Sequence, residues 1–287
     1  MRGDRFRLLA DIGGTNVRFA LADANGLTAG GRRPVVDFPS FEAALADYLN
    51  DVGVAPGGAA IAAAGPRESG RVQLTNSPWI VDRAEVAAML GGVPVALLND
   101  LEATAHALPH LAPADVAEVF AGAASADLAP RLAFNVGTGL GAALLVSTPH
   151  GPRAVATEAG HMRFAPVTAA EAALGEWAIT YEDVLSGRGW RRLMDVISTT
   201  EARRRVFSAL VGRVAGDLVL ATGAWAGIWF CGGVFADWDG KIDASEMRRA
   251  FQDKGPMQAR MQAVPMTRIL LESPALIGLA HAPIDDS

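Results

Sequence analysis

The sequence predicts an α/β protein of two similar domains with a cleft between them. The chain has 287 residues, 51% of them hydrophobic, which is more than one small core requires. A strand, a glycine-rich turn and a second strand also occur twice, each time at the start of a run that alternates strands with helices. The two turns, residues 11–15 (DIGGT) and 135–139 (NVGTG), form a weak internal repeat.

In the first half of the chain, apolar runs and capping residues predict a regular alternation of elements. Residues 6–22 have the pattern of strand, turn and strand. Ser40 is the predicted N-cap of a helix over 41–50. The remaining predictions are a strand over 59–64, a helix over 82–90, a strand over 93–98 and a helix over 101–108.

The second half is predicted in the same way. Its elements are strands over 132–134 and 140–146, a helix over 203–221, strands over 227–231 and 267–271, and a last helix from about Pro274 to Pro283. We expect a domain boundary near Pro109 to Pro113. This gives a small N-terminal α/β domain over 1–110 and a large α/β domain over 111–273, and the C-terminal helix, about 274–287, is expected to pack back onto the small domain.

Charge and cysteine content exclude several classes of function. The net charge is −6 and the pI about 5.4, so a basic nucleic-acid-binding face is not expected. The run Arg203–Arg205 points in different directions on a helix, as on a solvated face. Cys231 is the only cysteine, so neither an intrachain disulfide nor a cysteine-based zinc site can form, and the cytoplasm is the expected location.

One stretch is long enough to cross a bilayer, because residues 218–236 contain no charged side chain. Its glycines interrupt the run, and the segment before it, 203–220, mixes charged and apolar residues at helical spacing. We therefore predict a helix, a glycine turn and a buried strand here, and no membrane partner. The N-terminus, residues 1–10, lacks the pattern of a secretion signal.

The two glycine turns are candidates for phosphate binding. Glycine lets the backbone N–H groups approach an anion closely, and threonine adds a hydroxyl. Each turn alone fits an ordinary hairpin with glycine at positive φ equally well, but two such turns in one chain favour a polyphosphate ligand. The P-loop pattern, which ends in Gly-Lys-Ser/Thr, is absent.

The second turn also comes close to the dinucleotide-binding fingerprint. Gly137, Gly139 and Ala142 fit Gly-x-Gly-x-x-Ala, and Glu158 lies about 20 residues further on, as that motif requires. The fingerprint must open a helix, however, and residues 147–152 (STPHGP) follow the apolar run at once. This pattern predicts a strand that enters a turn, which disfavours a nicotinamide-dependent oxidoreductase.

Several segments, taken in order, resemble bacterial glucokinases. Residues 9–18 (LADIGGTNVR) are similar to the N-terminal phosphate motif of that family. Further similar segments are the catalytic Asn-Asp segment 98–103 (LNDLEA), the second phosphate loop 136–141 (VGTGLG), the sugar-binding stretch 158–161 (EAGH) with 164–166 (FAP), the segment 182–187 (EDVLSG), and Thr75-Asn76 before Trp79. The matches run from residue 8 to about 190, and a weaker one continues to Pro274.

The resemblance implies a fold, a reaction and its cofactors. The family belongs to the hexokinase–actin superfamily, so the expected fold is α/β, with two actin-like, ribonuclease-H-like α/β domains and an interdomain cleft. The expected reaction transfers the γ-phosphate of ATP, with Mg²⁺, to the 6-hydroxyl of glucose. Closure of the domains on the sugar would exclude water, which is a competing nucleophile.

Two aspartates receive the roles closest to the chemistry. Asp100 is the expected general base, which removes the proton of the attacking hydroxyl. Without the resemblance, Asp100 would be equally well explained as the N-cap of the helix that follows. Asp11 is expected near Mg²⁺, which it would contact through water, and the alternative is a turn-stabilising role.

The remaining predicted site residues bind the two substrates. Carboxylates, amides and histidine together offer the acceptors and donors that sugar hydroxyls need. The predicted sugar ligands are Asn76, Asn99, Asp100, Glu158, His161 and Glu182. The predicted nucleotide-binding residues are Asp11, Gly13, Gly14, Thr15, Asn16, Gly137, Thr138, Gly139, Gly232 and Gly233.

The sequence departs from the family pattern on the nucleotide side. Residues 191–203 replace a longer helical region after Trp190, and residues 232–235 (GGVF) lack the proline that commonly follows the glycines. Asn135 stands where a small residue is frequent, and Ala159 replaces a glycine. The resemblance therefore indicates intact base and sugar positions and an altered adenosine pocket.

Other activities remain open at the level of sequence. A kinase for another hexose would differ at only a few hydroxyl contacts. A glucose sensor without catalysis would not need Asp100 or both glycine turns, which argues against it. The expected quaternary state is a homodimer, on frequency alone.

Overall fold

The computed structural model describes residues 6–65, 67–74, 77–123 and 128–284. The described residues divide into two compact units. The first unit contains those up to His110 together with those from Ser273 onward, and the second contains Leu111 to Glu272.

The first unit is organised by a five-stranded sheet in the order β3-β2-β1-β4-β8. Strands β1 to β3 are antiparallel neighbours, whereas β1, β4 and β8 run parallel. A second, three-stranded sheet contains β5, β6 and β7. The strands are β1 Arg7–Ile12, β2 Asn16–Asp23, β3 Gly26–Pro34, β4 Gly58–Ala63, β5 Arg67–Glu68, β6 Arg71–Gln73, β7 Ile80–Asp82 and β8 Val95–Asn99.

The helices of the first unit begin at the capping residues that the sequence provides. They are α1 Phe41–Val52, α2 Arg83–Met89 and α3 Asp100–Ala107. The Ser40 side chain accepts a hydrogen bond from the Ala43 amide at 3.3 Å, as predicted, and Asp82 caps α2 in the same way. Gly53 ends α1 at a φ of 61°, a left-handed conformation that favours glycine.

The second unit repeats the strand order of the first. Its sheet has the order β12-β11-β10-β13-β14-β9, so a three-stranded antiparallel meander again adjoins two parallel strands. The strands are β9 Val116–Phe120, β10 Arg131–Val136, β11 Leu140–Thr148, β12 Gly151–Thr157, β13 Ile228–Cys231 and β14 Met266–Ile269. The weak repeat in the sequence thus corresponds to a repeated sheet.

The helices of the second unit include one long central helix. They are α4 Ala169–Ala172, α5 Tyr181–Val184, α6 Gly187–Val196, α7 Thr200–Thr222, α8 Gly233–Ala236, α9 Trp238–Lys241, α10 Ala244–Gln252 and α11 Gln258–Gln262. Gly212 on α7 lies against the Met247 carbonyl, where a β-carbon would overlap. The absence of a side chain therefore lets α7 and α10 pack closely.

The last helix, α12 Ala275–His281, belongs to the first unit. It packs on α3, with Gly278 against the Ala103 carbonyl, and covers the face of the sheet that Leu9, Ala60 and Leu98 present. The opposite face is covered by α1 and α2 over larger residues. Small side chains on the α12 face allow the close approach.

The mixed α/β class predicted from the sequence is confirmed, although several elements were not predicted. These are β3, the small sheet β5–β7, β9, β12, and the helices α4, α5, α6, α8, α9, α10 and α11. The strand β11 continues to Thr148 and turns directly into antiparallel β12, so the second glycine turn opens no helix. None of the helices in the described part of the chain combines the length and the hydrophobicity of a membrane span.

Candidate active site

Asp100 lies at the carboxyl end of β8, as the first residue of α3. The N-cap of α3 is Asn99, whose Oδ1 accepts the Leu101 amide at 2.9 Å, while Glu102 accepts the Asn99 amide at 2.9 Å. The alternative explanation of Asp100 as the N-cap is therefore wrong, because Asn99 and Glu102 already form a capping box. Asp100 Oδ1 accepts the same Leu101 amide at 2.9 Å.

The surroundings of Asp100 raise its proton affinity. Burial raises the pKa of Asp100, and the nearby charge of Asp11 raises it further, while the Leu101 amide opposes both. Strands β1 and β8 are both parallel to β4, so their carboxyl ends meet at one edge of the sheet. This edge brings the two predicted aspartates into electrostatic contact.

Asp11 is held by a residue that the sequence did not indicate. The Ser273 hydroxyl donates a hydrogen bond to Asp11 Oδ2. Ser273 is the first residue after the chain returns from the second unit, and 262 positions separate it from Asp11. A serine before Pro274 and a helix has the pattern of a cap, so nothing local pointed to this partner.

The first glycine turn is closed by its own backbone. The Gly13 amide donates to the Asn16 carbonyl at 2.9 Å, and the Thr15 carbonyl accepts the Val35 amide at 2.9 Å. The Asn16 side chain donates to Thr15 Oγ1 at 2.9 Å. Gly14 and Thr15 are exposed at the tip.

The second glycine turn is bound by residues from outside it. Within the turn, the Gly137 amide donates to the Gly139 carbonyl at 2.9 Å. From outside, Glu182 accepts the Leu140 amide at 3.1 Å, and the Gly187 amide donates to the Gly137 carbonyl at 2.8 Å. Thr138 is exposed between them.

None of the four glycines in the two turns has a left-handed φ; they are Gly13, Gly14, Gly137 and Gly139. The alternative of ordinary hairpins that need glycine at positive φ is therefore wrong. At Gly139 the reason for glycine is close approach, because Glu182 Oε2 lies where a β-carbon would be.

Glu158 and His161 lie on one short 3₁₀ turn. Their side chains are 89% and 65% exposed, and His161 Nε2 is 3.8 Å from Glu158 Oε2. Gly160 between them packs against the Leu140 carbonyl, where a β-carbon would overlap. The turn thus presents two polar, accessible side chains from the same backbone that adjoins the second glycine turn.

The side chain of Asn135 lies between the second glycine turn and the end of β13. Gly232 has a φ of 104°, and a β-carbon there would overlap Asn135 Oδ1. Gly137 also faces the Asn135 carboxamide. Gly233 starts α8 in open space, with no atom within 4 Å of the place that a β-carbon would occupy. Asn135, noted in the sequence as a departure, therefore has a packing role.

One predicted sugar ligand cannot be placed. Asn76, with Thr75, lies outside the described residues. Among the residues that the structure does describe, no group of three or more histidine, cysteine, aspartate or glutamate side chains could hold a metal ion directly.

The family model described as "Glucokinase" matches residues 8–206 and 200–285. A glucokinase of Chromobacterium violaceum is 36% identical over 311 aligned positions, which cover 96% of this chain and 88% of the relative. The chain belongs to the glucokinase family. The family resemblance and the class of enzyme predicted from the sequence are thereby confirmed.

Solved structures of glucokinases share the fold. The glucokinase of an Antarctic psychrotroph superposes with a TM-score of 0.86 at 30% identity, covering 96% of this chain and 98% of that one. A ROK family glucokinase from Streptomyces griseus, solved in complex with glucose and AMPPNP, gives a TM-score of 0.65 at 18% identity, covering 96% and 98%. The predicted actin-like fold is thereby confirmed.

The glucokinase-family match divides close to the region that is predicted to be shortened. Its two segments meet at residues 200–206, close to the predicted replacement at 191–203. In the structure α6 ends at Val196, and α7 starts at Thr200 after a short link. The region after Trp190 therefore consists of the rest of α6, a short link and the start of α7.

Proposed function

We propose that this chain transfers the γ-phosphoryl group of ATP to the 6-hydroxyl of glucose, with Asp100 as general base. The observation that carries the proposal is the placement of Asp100 at the carboxyl end of β8, with its pKa raised by burial and by Asp11. Because a general base works best when its pKa approaches the working pH, this environment suits proton removal from a hydroxyl. Family membership supplies the reaction class.

The chemistry asked of Asp100 is a single proton transfer. The sugar oxygen forms a bond to the γ-phosphorus while the bond to the ADP oxygen breaks, and Asp100 accepts the hydroxyl proton. Asn99 and Glu102 cap α3, so Asp100 is not the N-cap, although its Oδ1 accepts the Leu101 amide. Its carboxylate can therefore face a substrate.

ATP and Mg²⁺ are the proposed cofactors. The Streptomyces griseus relative was solved with AMPPNP, which supports a nucleotide. The exposed tips of the two glycine turns suit phosphate contacts through backbone N–H groups. Asp11 and Asp100 present hard oxygen donors whose negative charges interact, and a cation such as Mg²⁺ would relieve that repulsion. Asp11, held by Ser273, would contact the ion through water.

Glucose is the proposed sugar, with Asn76, Asn99, Glu158, His161 and Glu182 as its further ligands. Exposure of Glu158 and His161 leaves their polar atoms open to hydroxyls. The Asn99 side-chain oxygen is used by the cap, so its amide nitrogen is the group left to donate. The homodimer and the division of the chain into two catalytic domains stay predictions.

The test is a coupled assay of purified protein with ATP, Mg²⁺ and a panel of hexoses. We expect glucose to be phosphorylated at its 6-hydroxyl, and Asp100→Ala to lower kcat/KM by roughly 10³-fold, within the range for a lost general base. Asp37→Ala, an exposed aspartate of the same unit, is the matched control. Preference for another hexose would change the substrate alone, whereas no turnover on any hexose would refute the proposal.

A further inference from the structure

The carboxylate of Glu182 accepts a hydrogen bond from the backbone at the end of the second glycine turn. Its Oε2 accepts the Leu140 amide at 3.1 Å. A β-carbon on Gly139 would overlap the same oxygen, and Gly139 has no left-handed φ. The neighbouring carboxylate, rather than the backbone conformation, is therefore what requires glycine at this position.

Helix α5 holds Glu182 in this direction. Thr180 and Asp183 form a capping box, in which Asp183 Oδ2 accepts the Thr180 amide at 2.9 Å and the Thr180 hydroxyl at 2.9 Å. Partial burial would raise the pKa of Asp183, but the hydrogen bonds from Thr180 and Ile179 hold it below its usual value. The first turn of α5, which carries Glu182, thus stays ordered.

A second anchor joins the same segment to the turn. The Gly187 amide donates to the Gly137 carbonyl at 2.8 Å. Gly187 therefore binds the turn at Gly137, and Glu182 binds it at Leu140, the residue that directly follows the turn. A shift of residues 137–140 must break one of these bonds or move the start of α6 with it.

Leu140 also contacts the other predicted sugar-binding segment. Its carbonyl packs against Gly160, in the turn that carries Glu158 and His161. Leu140 thus lies between Glu182, through its amide, and the Glu158–His161 turn, through its carbonyl. The residues proposed to hold sugar and the turn proposed to hold phosphate share one stretch of backbone.

We infer that Glu182 is a positioning residue that couples sugar binding to the second glycine turn. Oε2 fixes the turn, while Oε1 has no hydrogen-bond partner in the described part of the chain and is available to a sugar hydroxyl. A sugar bonded to Oε1 restrains Glu182 and with it the Leu140 amide, so each substrate raises the affinity for the other. This inference rests on the proposed function.

The decisive experiment is calorimetric binding of AMPPNP with Mg²⁺ in the absence of sugar. We expect Glu182→Ala to raise the nucleotide Kd roughly 5-fold, as for the loss of about one hydrogen bond. Glu182→Gln keeps a carbonyl that can accept the Leu140 amide, so its nucleotide Kd should stay within about twofold while its glucose Kd rises. Glu176→Ala, an exposed glutamate nearby, is the control.

The reciprocal experiment measures glucose binding without nucleotide. Gly139→Ala places a methyl group where Oε2 lies, so it should raise the glucose Kd although no sugar ligand has changed. The ratio of nucleotide Kd without and with saturating glucose should fall to about 1 in Glu182→Ala. If Glu182→Ala does not fold, Glu182→Gln and Gly139→Ala carry the test.

The inference is overturned if Glu182→Ala binds nucleotide without sugar as the unmodified protein does, or if Gly139→Ala binds glucose normally. Glu182 would then be a sugar ligand only. Failure of the proposed function can be told apart from failure of this inference. In the first case the unmodified protein would phosphorylate no hexose, but the nucleotide Kd of the Glu182 variants would still show whether Glu182 anchors the turn.

Discussion

The two glycine turns have similar sequences and the same place in their sheets, but they are held differently. The first turn is closed by its own backbone and by the Val35 amide. The second depends on Glu182 and Gly187, which lie more than 40 residues further along the chain. A repeated motif therefore keeps its shape by local bonds in one unit and by tertiary contacts in the other.

Because of this difference, the two turns should respond differently to side-chain substitutions elsewhere in their units. Side-chain changes elsewhere in the first unit reach residues 13–16 only weakly, since the bonds that close this turn are largely between backbone atoms. In the second unit, a change at Gly139, Gly160 or Glu182 acts directly on the turn.

Asp11→Asn probes the aspartate next to the first turn. Removal of this charge lowers the pKa of Asp100, so the acid limb of the kcat/KM profile should move to lower pH. The loss of a predicted Mg²⁺ contact should reduce kcat by roughly 10²-fold, a size typical of groups acting on the transferred charge. Asp23→Asn, at the far end of β2, is the control. An acid limb at an unchanged pH would show that the charge of Asp11 does not affect the titration of Asp100.

Gly139→Ala and Gly13→Ala compare the turns directly. A β-carbon at Gly139 overlaps Glu182, whereas the nearest atom to one at Gly13 is 3.4 Å away. Overpacking costs about 1–3 kcal/mol. The free energy of unfolding, measured with urea, should therefore fall by that amount in Gly139→Ala and by under about 0.5 kcal/mol in Gly13→Ala. Equal losses in the two variants would contradict the contrast.

Ser273→Ala removes the hydroxyl that holds Asp11. The carboxylate loses one hydrogen bond of about 1 kcal/mol, so kcat should fall roughly 5-fold and the Mg²⁺ requirement should rise. The glucose KM should not change. Ser273→Thr keeps a hydroxyl and should recover most of the activity. Without that recovery, the loss would have to come from packing rather than from the hydrogen bond.

His281→Phe tests the packing of α12 with a small effect. His281 stacks on His110 at 3.5 Å between ring centroids, and burial followed by the Arg7 charge lowers the pKa of His281. Because the pKa of His281 is lower in the folded protein, the unfolded chain binds more protons between the two pKa values. The free energy of unfolding is therefore highest above the ordinary pKa of 6.5 and decreases as the pH falls below it. Phenylalanine keeps the stack and does not titrate. The drop in Tm between neutral pH and about pH 5 should therefore be smaller in the variant.

The sequence predicts the elements of this protein better than their contacts. Alternating apolar residues, Ser40 and the repeated glycine turns are local signals, and they predict most strands and the helices α1, α2, α3, α7 and α12. Strands β3, β9 and β12 were missed, since edge strands need only weak apolar alternation. Neither the Ser273–Asp11 bond nor the Glu182–Leu140 bond has a local pattern, because each joins residues that only the folded chain brings together.

The most direct test of the account compares binding, turnover and stability in Asp100→Asn. A carboxyl whose folded-state pKa is raised destabilises the protein above that pKa, so the neutral amide should raise the Tm at pH 7. We predict that glucose and nucleotide still bind, that turnover falls by roughly 10³-fold, and that the Tm rises. Turnover within about tenfold of the unmodified protein, with both substrates bound, would contradict the role of Asp100 as the base.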